Sequence, residues 1–187
     1  MTERISGPTL EPLTLGEAKA FLRIDTDGED PLISALIAAA RRVVEASTGR
    51  ALLTQSWRLV RDAWPPSGVF ALPVAPVRAL LAARVRNADG GTQDIDLALL
   101  RLVTARTPAL VHLDPAQMPQ PGMRWAGIEI ELEAGYGDAA ADVPADLVQA
   151  VRLVLAHFHE HRDAPGDTLR LPATVAELLM PYKLVRL

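Results

Sequence analysis

Three histidines and a glutamate fall within five positions, His157-Phe158-His159-Glu160-His161, and no other stretch is so rich in groups able to do chemistry. The segment contains His-x-x-Glu-His, the order used by inverted zinc peptidases. On a helix, His157 and His161 lie one turn apart on one flank, which suits two imidazole ligands of a single zinc ion. A catalytic zinc needs a third protein ligand, and the carboxylates after His161 are Asp163, Asp167 and Glu177. The first two fall in an expected loop and the third on a short terminal helix. Histidine and glutamate at the solvent end of an amphipathic helix also form an ordinary polar terminus, where imidazolium is favoured by the helix dipole. Surface histidines are therefore the expectation. A small zinc-dependent hydrolase using His157, Glu160 and His161 is the alternative.

Other chemistry is thinner. The chain has no cysteine, which removes disulfides, thiolate nucleophiles and cysteine-ligated zinc together. There is no Gly-x-Ser-x-Gly and no phosphate-cradling Gly-Lys-Ser/Thr loop. Glu129, Glu131 and Glu133 line one face of an alternating strand, as a half-solvated strand does without any active site. Arg78, Arg84 and Arg86 form a second charged row, which reads as a solvated strand face more readily than as a seat for an acidic partner. No catalytic, cofactor-binding or metal residue is expected.

The elements that would position these groups alternate in texture along 187 residues. Thr14-Leu15-Gly16-Glu17 is a capping box that opens a first helix, with Leu15, Ala18 and Leu22 on one face and Phe21 beside them. Asp30-Pro31 is expected to start a second helix, with Asp30 as the capping side chain and proline at the first helical position. Its apolar stripe is read as Leu32, Leu36, Ala39, Ala40 and Val43, flanked by Ile33, Ile37 and Val44. Gly49 fits a left-handed C-terminal cap.

After Gly49 the period changes to two. Residues 56–61 alternate around Trp57 and Leu59. Val77, Ala79, Leu81, Ala83 and Val85 share a face opposite the arginines, and Asn87-Ala88-Asp89-Gly90-Gly91 has the composition of a hairpin turn. Ala109–Leu113 is a weaker strand, and Ile128 to Glu133 alternates strictly. Helical spacing returns with Leu147, Val151, Val154, Leu155 and Phe158. A short helix over Thr174–Met180 then stops at Pro181.

Charge excludes one class of function. The formal net charge is −4, and acids and bases are spread so evenly that no segment is a basic block. The phosphate-neutralising surface of a dedicated DNA-binding domain is missing. No apolar run approaches bilayer thickness and no signal core follows the first residues, so a protein that folds and works without crossing a membrane is expected. The end of the chain is unusual: Tyr182, Leu184, Val185 and Leu187 follow two helix-breaking prolines, where termini are commonly polar and frayed. Such a tail either folds back on its own core or docks on another molecule.

Several blocks carry a resemblance in order along the chain. They are Leu13-Thr14-Leu15-Gly16-Glu17-Ala18-Lys19 with Leu22-Arg23-Ile24-Asp25; the stretch from Asp30 to Gly49-Arg50; Ala134-Gly135-Tyr136-Gly137-Asp138 with Val143-Pro144; and Leu178-Leu179-Met180-Pro181-Tyr182. Together they resemble the phage head–tail connector proteins of the head-completion adaptor class, including the adaptors of gene transfer agents. The resemblance implies an α+β fold: a helical adaptor core of three main helices plus a short C-terminal helix, with a β-rich insertion between the second and third helices. The expected boundaries are a helical pair over 1–50, the β-rich insertion over 51–137, and the third helix with a C-terminal docking segment over 138–187.

Such subunits assemble as a ring, typically dodecameric, beneath the portal protein. The ring extends the DNA channel and meets a stopper or tail protein. The implied partners are the portal, neighbouring copies in a homo-oligomeric ring and the next neck or tail protein, with transient, non-specific passage of DNA and no membrane. The implied setting is the particle neck, reached from the bacterial cytoplasm during assembly. The implied portal-docking residues are Leu178, Leu179, Pro181, Tyr182, Lys183, Leu184 and Leu187. Another neck or tail ring, a stopper or tail terminator, is the structural alternative. The chain departs from the family pattern at Phe158-His159-Glu160-His161-Arg162, where many relatives have a Tyr-Glu-Asn/Ala-Arg-type stretch. It departs again at Lys183, where the relatives' arginine would offer a planar fork.

Overall fold

The computed structural model describes residues 1–161 and 171–183. It is an α+β chain in two compact units, one of residues Met1–Gly7 and Thr54–Gly135, the other of Pro8–Leu53 and Tyr136–Leu187.

The second unit is helical: α1 (Leu15–Leu22), α2 (Asp30–Thr48), α3 (Ala145–Glu160) and α4 (Ala173–Leu179), followed by a 3-10 turn over Met180–Tyr182. The Thr14–Glu17 capping box forms as read, with each side chain answering the other's backbone amide. Gly49 caps α2 in the left-handed region at φ 71°, which costs a glycine little. Asp30 is not the cap of α2. It is the first helical residue, Glu29 holds the cap position without a side-chain bond to the helix's own amides, and the Asp30 carboxylate accepts from Lys19 Nζ at 2.7 Å.

Leu147, Val151, Val154 and Leu155 of α3 are fully buried, and Phe158 packs against the same core. On α2 the buried line is Ile33, Ile37, Ala40 and Val44, while Leu32 is exposed. The expected stripe is thus displaced by one position, because Arg41, Glu45 and Thr48 are drawn inward on that same face. Arg41 donates to Glu11 at 2.7 and 3.1 Å and to Glu45 at 2.7 Å, and Glu45 also accepts from the Leu52 amide at 3.0 Å. Burial by itself lowers the Arg41 pKa, but the bonds and fields of the two carboxylates outweigh it and hold the guanidinium above its ordinary value.

The first unit is built from eight strands: β1 (Thr2–Ser6), β2 (Gln55–Arg61), β3 (Val69–Ala71), β4 (Val77–Arg86), β5 (Thr92–Asp94), β6 (Arg101–Val103), β7 (Leu110–His112) and β8 (Ile128–Ala134). A five-stranded sheet runs β1-β2-β8-β4-β5 and a three-stranded sheet β3-β7-β6, all pairs antiparallel. Residues 2–6, counted above with the helical pair, instead form the edge strand of this larger sheet. The Asn87–Gly91 turn closes the β4–β5 hairpin as expected.

The apolar face of β8 is fully buried through Ile128, Ile130, Leu132 and Ala134. On β4 the expected face fails at Leu81, which is 46% exposed. The register shifts between Val77 and Ala79 and again between Leu80 and Ala82, so a residue is bulged out at each shift and simple alternation breaks.

The polar face of this sheet joins two rows that the sequence shows only separately. Arg58 on β2 and Arg84 on β4 both donate to Glu131 of β8, at 3.1 and 2.9 Å. Arg58 reaches on to Glu3 of β1 at 3.1 Å and Arg84 to Asp94 of β5 at 3.0 Å, so alternating charge crosses all five strands. Arg86 pairs with Glu129, and Arg78 lies 3.5 Å from Glu133. The arginine row is therefore largely neutralised inside its own sheet. Its bonds, foremost the one from Arg58, hold the Glu131 carboxyl below the usual range.

Candidate functional site

The C-terminal segment is anchored by one apolar line and one polar network. Val175 and Leu179 of α4 are fully buried in the helical core, one helical turn apart. Leu179 is therefore a structural anchor and presents no side chain for docking. The chain then turns at Pro181, which puts Tyr182 over Arg50, just past the Gly49 cap of α2. The Arg50 guanidinium lies 5.3 Å from the Tyr182 ring centre. Its Nε donates to the Tyr182 carbonyl at 2.8 Å and its Nη1 to the Tyr136 hydroxyl at 3.0 Å. The Tyr182 hydroxyl in turn donates to the two oxygens of Asp146, at 2.8 and 2.7 Å.

Through Tyr182, then, the tail folds back on its own core, one of the two outcomes open from sequence. Of the expected docking residues, Leu178 is half-buried, and Pro181 and Lys183 are exposed beside Met180, itself 66% exposed. Leu184 and Leu187 lie outside the described residues. A shallow cleft lined by Asp146, Thr174, Glu177, Leu178 and Pro181 runs along this segment. It combines two apolar side chains with two carboxylates, and holds no nucleophile paired with a base. Asp146, Arg50 and Tyr136 are the members that the sequence reading did not single out.

The network sets the tyrosines' acidity. Hydrogen bonding to Asp146 pushes Tyr182 up to about 12, and burial raises Tyr136 against the opposing pull of Arg50. A raised phenol contributes fully below its ordinary value of about 10, and that contribution is lost as pH climbs through the folded value. The chain has only two tyrosines, so tyrosinate absorbance reports on this site alone. A midpoint of about 12 is expected for Tyr182. Asp146→Ala should return that group toward its ordinary value.

The histidine cluster ends α3 as expected, but its members go separate ways. His157 and His161 stack at 4.5 Å between ring centres, and His161 Nδ1 lies 2.9 Å from the His157 carbonyl oxygen. His159 leaves that pair and meets Glu29, before α2, at 3.1 Å. Among the described residues, no three His, Cys, Asp or Glu side chains gather as a metal site. Glu177 sits instead at the cleft beside α4, and Asp163 and Asp167 lie outside the described residues. The hydrolase alternative has no support in this arrangement. Replacing His157 and His161 together by alanine is expected to change the melting temperature little, since neither joins the buried stripe.

Known proteins similar to this chain are found both by family pattern and by structure. The model for the phage gp6-like head–tail connector proteins matches residues 12–91. Over those residues the chain is similar to the gp6-like head–tail connectors. The match takes in α1, α2 and strands β2, β3 and β4 up to the β4–β5 turn.

The whole chain is covered by its likeness to solved structures. A chain in the virion of a native gene transfer agent particle is 28% identical with a TM-score of 0.83. A chain in the neck of an empty gene transfer agent particle with C6 symmetry is 29% identical, with a TM-score of 0.85. Another, in the neck of the native particle with C12 symmetry, is 29% identical with a TM-score of 0.75. Each likeness covers 100% of this chain and 97% of that one. No curated protein matches the chain's sequence.

Proposed function

We propose that this chain is a structural adaptor subunit of a particle neck, set in a ring of copies that joins head to tail and extends the DNA channel. The observation that carries this reading is the end-to-end likeness to chains from gene transfer agent necks, at 28–29% identity. The head–tail connector pattern over residues 12–91 points the same way. The role is structural, not catalytic, and needs no cofactor. Among the described residues no helix is long and apolar enough to cross a membrane.

Within this reading the β-rich unit is an insertion carried by the helical core, and the C-terminal segment faces the portal. Leu179 and Tyr182 fix the segment, while Leu178, Pro181 and Lys183, with Leu184 and Leu187 beyond, meet the partner. An even charge balance suits a part that lets DNA pass without gripping it. Purified particles from the native host test the whole reading. The chain is expected at ring stoichiometry in the neck, and particles made without it should be filled heads lacking tails. Tailed particles of normal yield in its absence would overturn the assignment.

A further inference from the structure

The end of the β unit where the chain enters and leaves, near Ser6, Gln55 and Ala134, lies opposite the end that carries the loop between β7 and β8. That loop is pinned. Trp64 Nε1 donates to the Pro119 carbonyl at 2.9 Å, the Gly122 amide to Arg86 at 2.8 Å, and the Ala126 amide to Asp62 at 2.8 Å. A Cβ at Gly122 would sit 2.2 Å from the Ala88 nitrogen, so the loop lies tight against the β4–β5 turn. This rigid mount displays Met123, at 37% exposure, and Trp125, at 67%, with Arg124 stacked on the Trp125 ring at 5.3 Å. Tryptophan, methionine and arginine held ready without ordering cost are the make-up of an interface hot spot.

The complement of that tip occurs elsewhere on the same chain. The segment from α1 to α2 carries Asp25, Asp27, Glu29 and Asp30 within six residues, beside the exposed Phe21 and Leu32. Lys19 balances part of this charge through Asp27 and Asp30, and Asp27 stays 90% exposed. Exposed apolar side chains on a segment rich in carboxylates complement an apolar tip with a guanidinium. Two different, complementary patches make a heterologous contact, the kind that closes into a ring.

We infer that Met123, Arg124 and Trp125 of one copy dock on the Phe21, Asp25 and Leu32 surface of the next copy. The inference rests on the neck reading above and names the surfaces its ring would use. The absence of native cysteine makes cross-linking clean. Particles carrying Arg124→Cys together with Asp25→Cys should give, on oxidation, a ladder of multimers of this chain, and either single variant should give none. The chain's presence in wild-type particles tests the neck reading separately. Particles that retain the double variant but yield no ladder would overturn the contact, as would Arg124→Cys cross-linking to a different particle protein. If the cysteine variants fail to enter particles, charge reversal decides. Arg124→Glu should cut incorporation by about tenfold or more through multiplied ring contacts, and adding Asp25→Arg should restore it. Failure to restore overturns the pairing.

Discussion

Arg41→Ala is expected to strip the helical unit of about a fifth or more of its stability. Arg41 is 3% exposed, and its guanidinium holds both Glu11 and Glu45. Glu11 is 30% exposed at its side chain and would return to water at little cost. Glu45 would not, since its side chain is 9% exposed and its other oxygen is engaged by the Leu52 amide. Removing one partner of a buried pair costs about 3–5 kcal/mol, because the remaining charge stays desolvated. A domain's whole stability is about 5–15 kcal/mol. Denaturant titration followed by helical circular dichroism measures the loss. Adding Glu45→Gln to Arg41→Met should regain much of it: the neutral amide oxygen still accepts from Leu52, and no charge is left buried. If Arg41→Ala melts like the parent chain, the node is solvated and contributes nothing.

That node also explains where sequence reading stopped. The features read correctly depend on neighbours within a few positions. Thr14 and Glu17 cap each other three residues apart, Gly49 ends its own helix, and the Leu147–Phe158 stripe is a period on a single element. On α2 two apolar lines, through Leu32 and through Ile33, lie side by side in the sequence. The choice between them falls to Glu11 and Leu52, whose distance along the chain hides their link to Arg41 and Glu45.

Strand β1 was missed for the same reason. Thr-Glu-Arg-Ile-Ser has one strongly apolar side chain, and its partners on β2 stand at least 50 residues away. Leu81 followed the period that two bulges interrupt. The acidic row of β8 and the arginines of β4 were each visible, but only register shows that they neutralise one another. At the C-terminus, Leu178 to Lys183 could be picked out, whereas Asp146 and Arg50 lie 36 and 132 residues from Tyr182 and left no local trace.

The same anchor separates two truncations that a sequence reading would treat alike. Removing residues 181–187 deletes Tyr182 with its bonds to Asp146 and Arg50, and takes the ring from beneath the guanidinium. Full burial of such a side chain contributes about 1.5–3 kcal/mol, and a half-exposed ring gives less, so a loss of about 1–2 kcal/mol is expected. Removing only residues 184–187 spares every one of those contacts, and this shorter truncation should melt like the full chain. The proposed role of the tail predicts that it nevertheless fails to attach to heads. On that reading apolar side chains at Leu184 and Leu187 bind weakly one copy at a time, since association itself consumes much of the gain. Repeated around a ring the contact becomes strong, so its loss should lower the yield of tailed particles by about tenfold or more. Counting tailed and tailless filled heads by electron microscopy, beside a melting curve of each purified variant, separates folding from attachment. Normal yields from the 184–187 deletion with failure only in the 181–187 deletion would reduce the tail to a structural strap. Normal yields from both would move the portal contact away from this segment altogether.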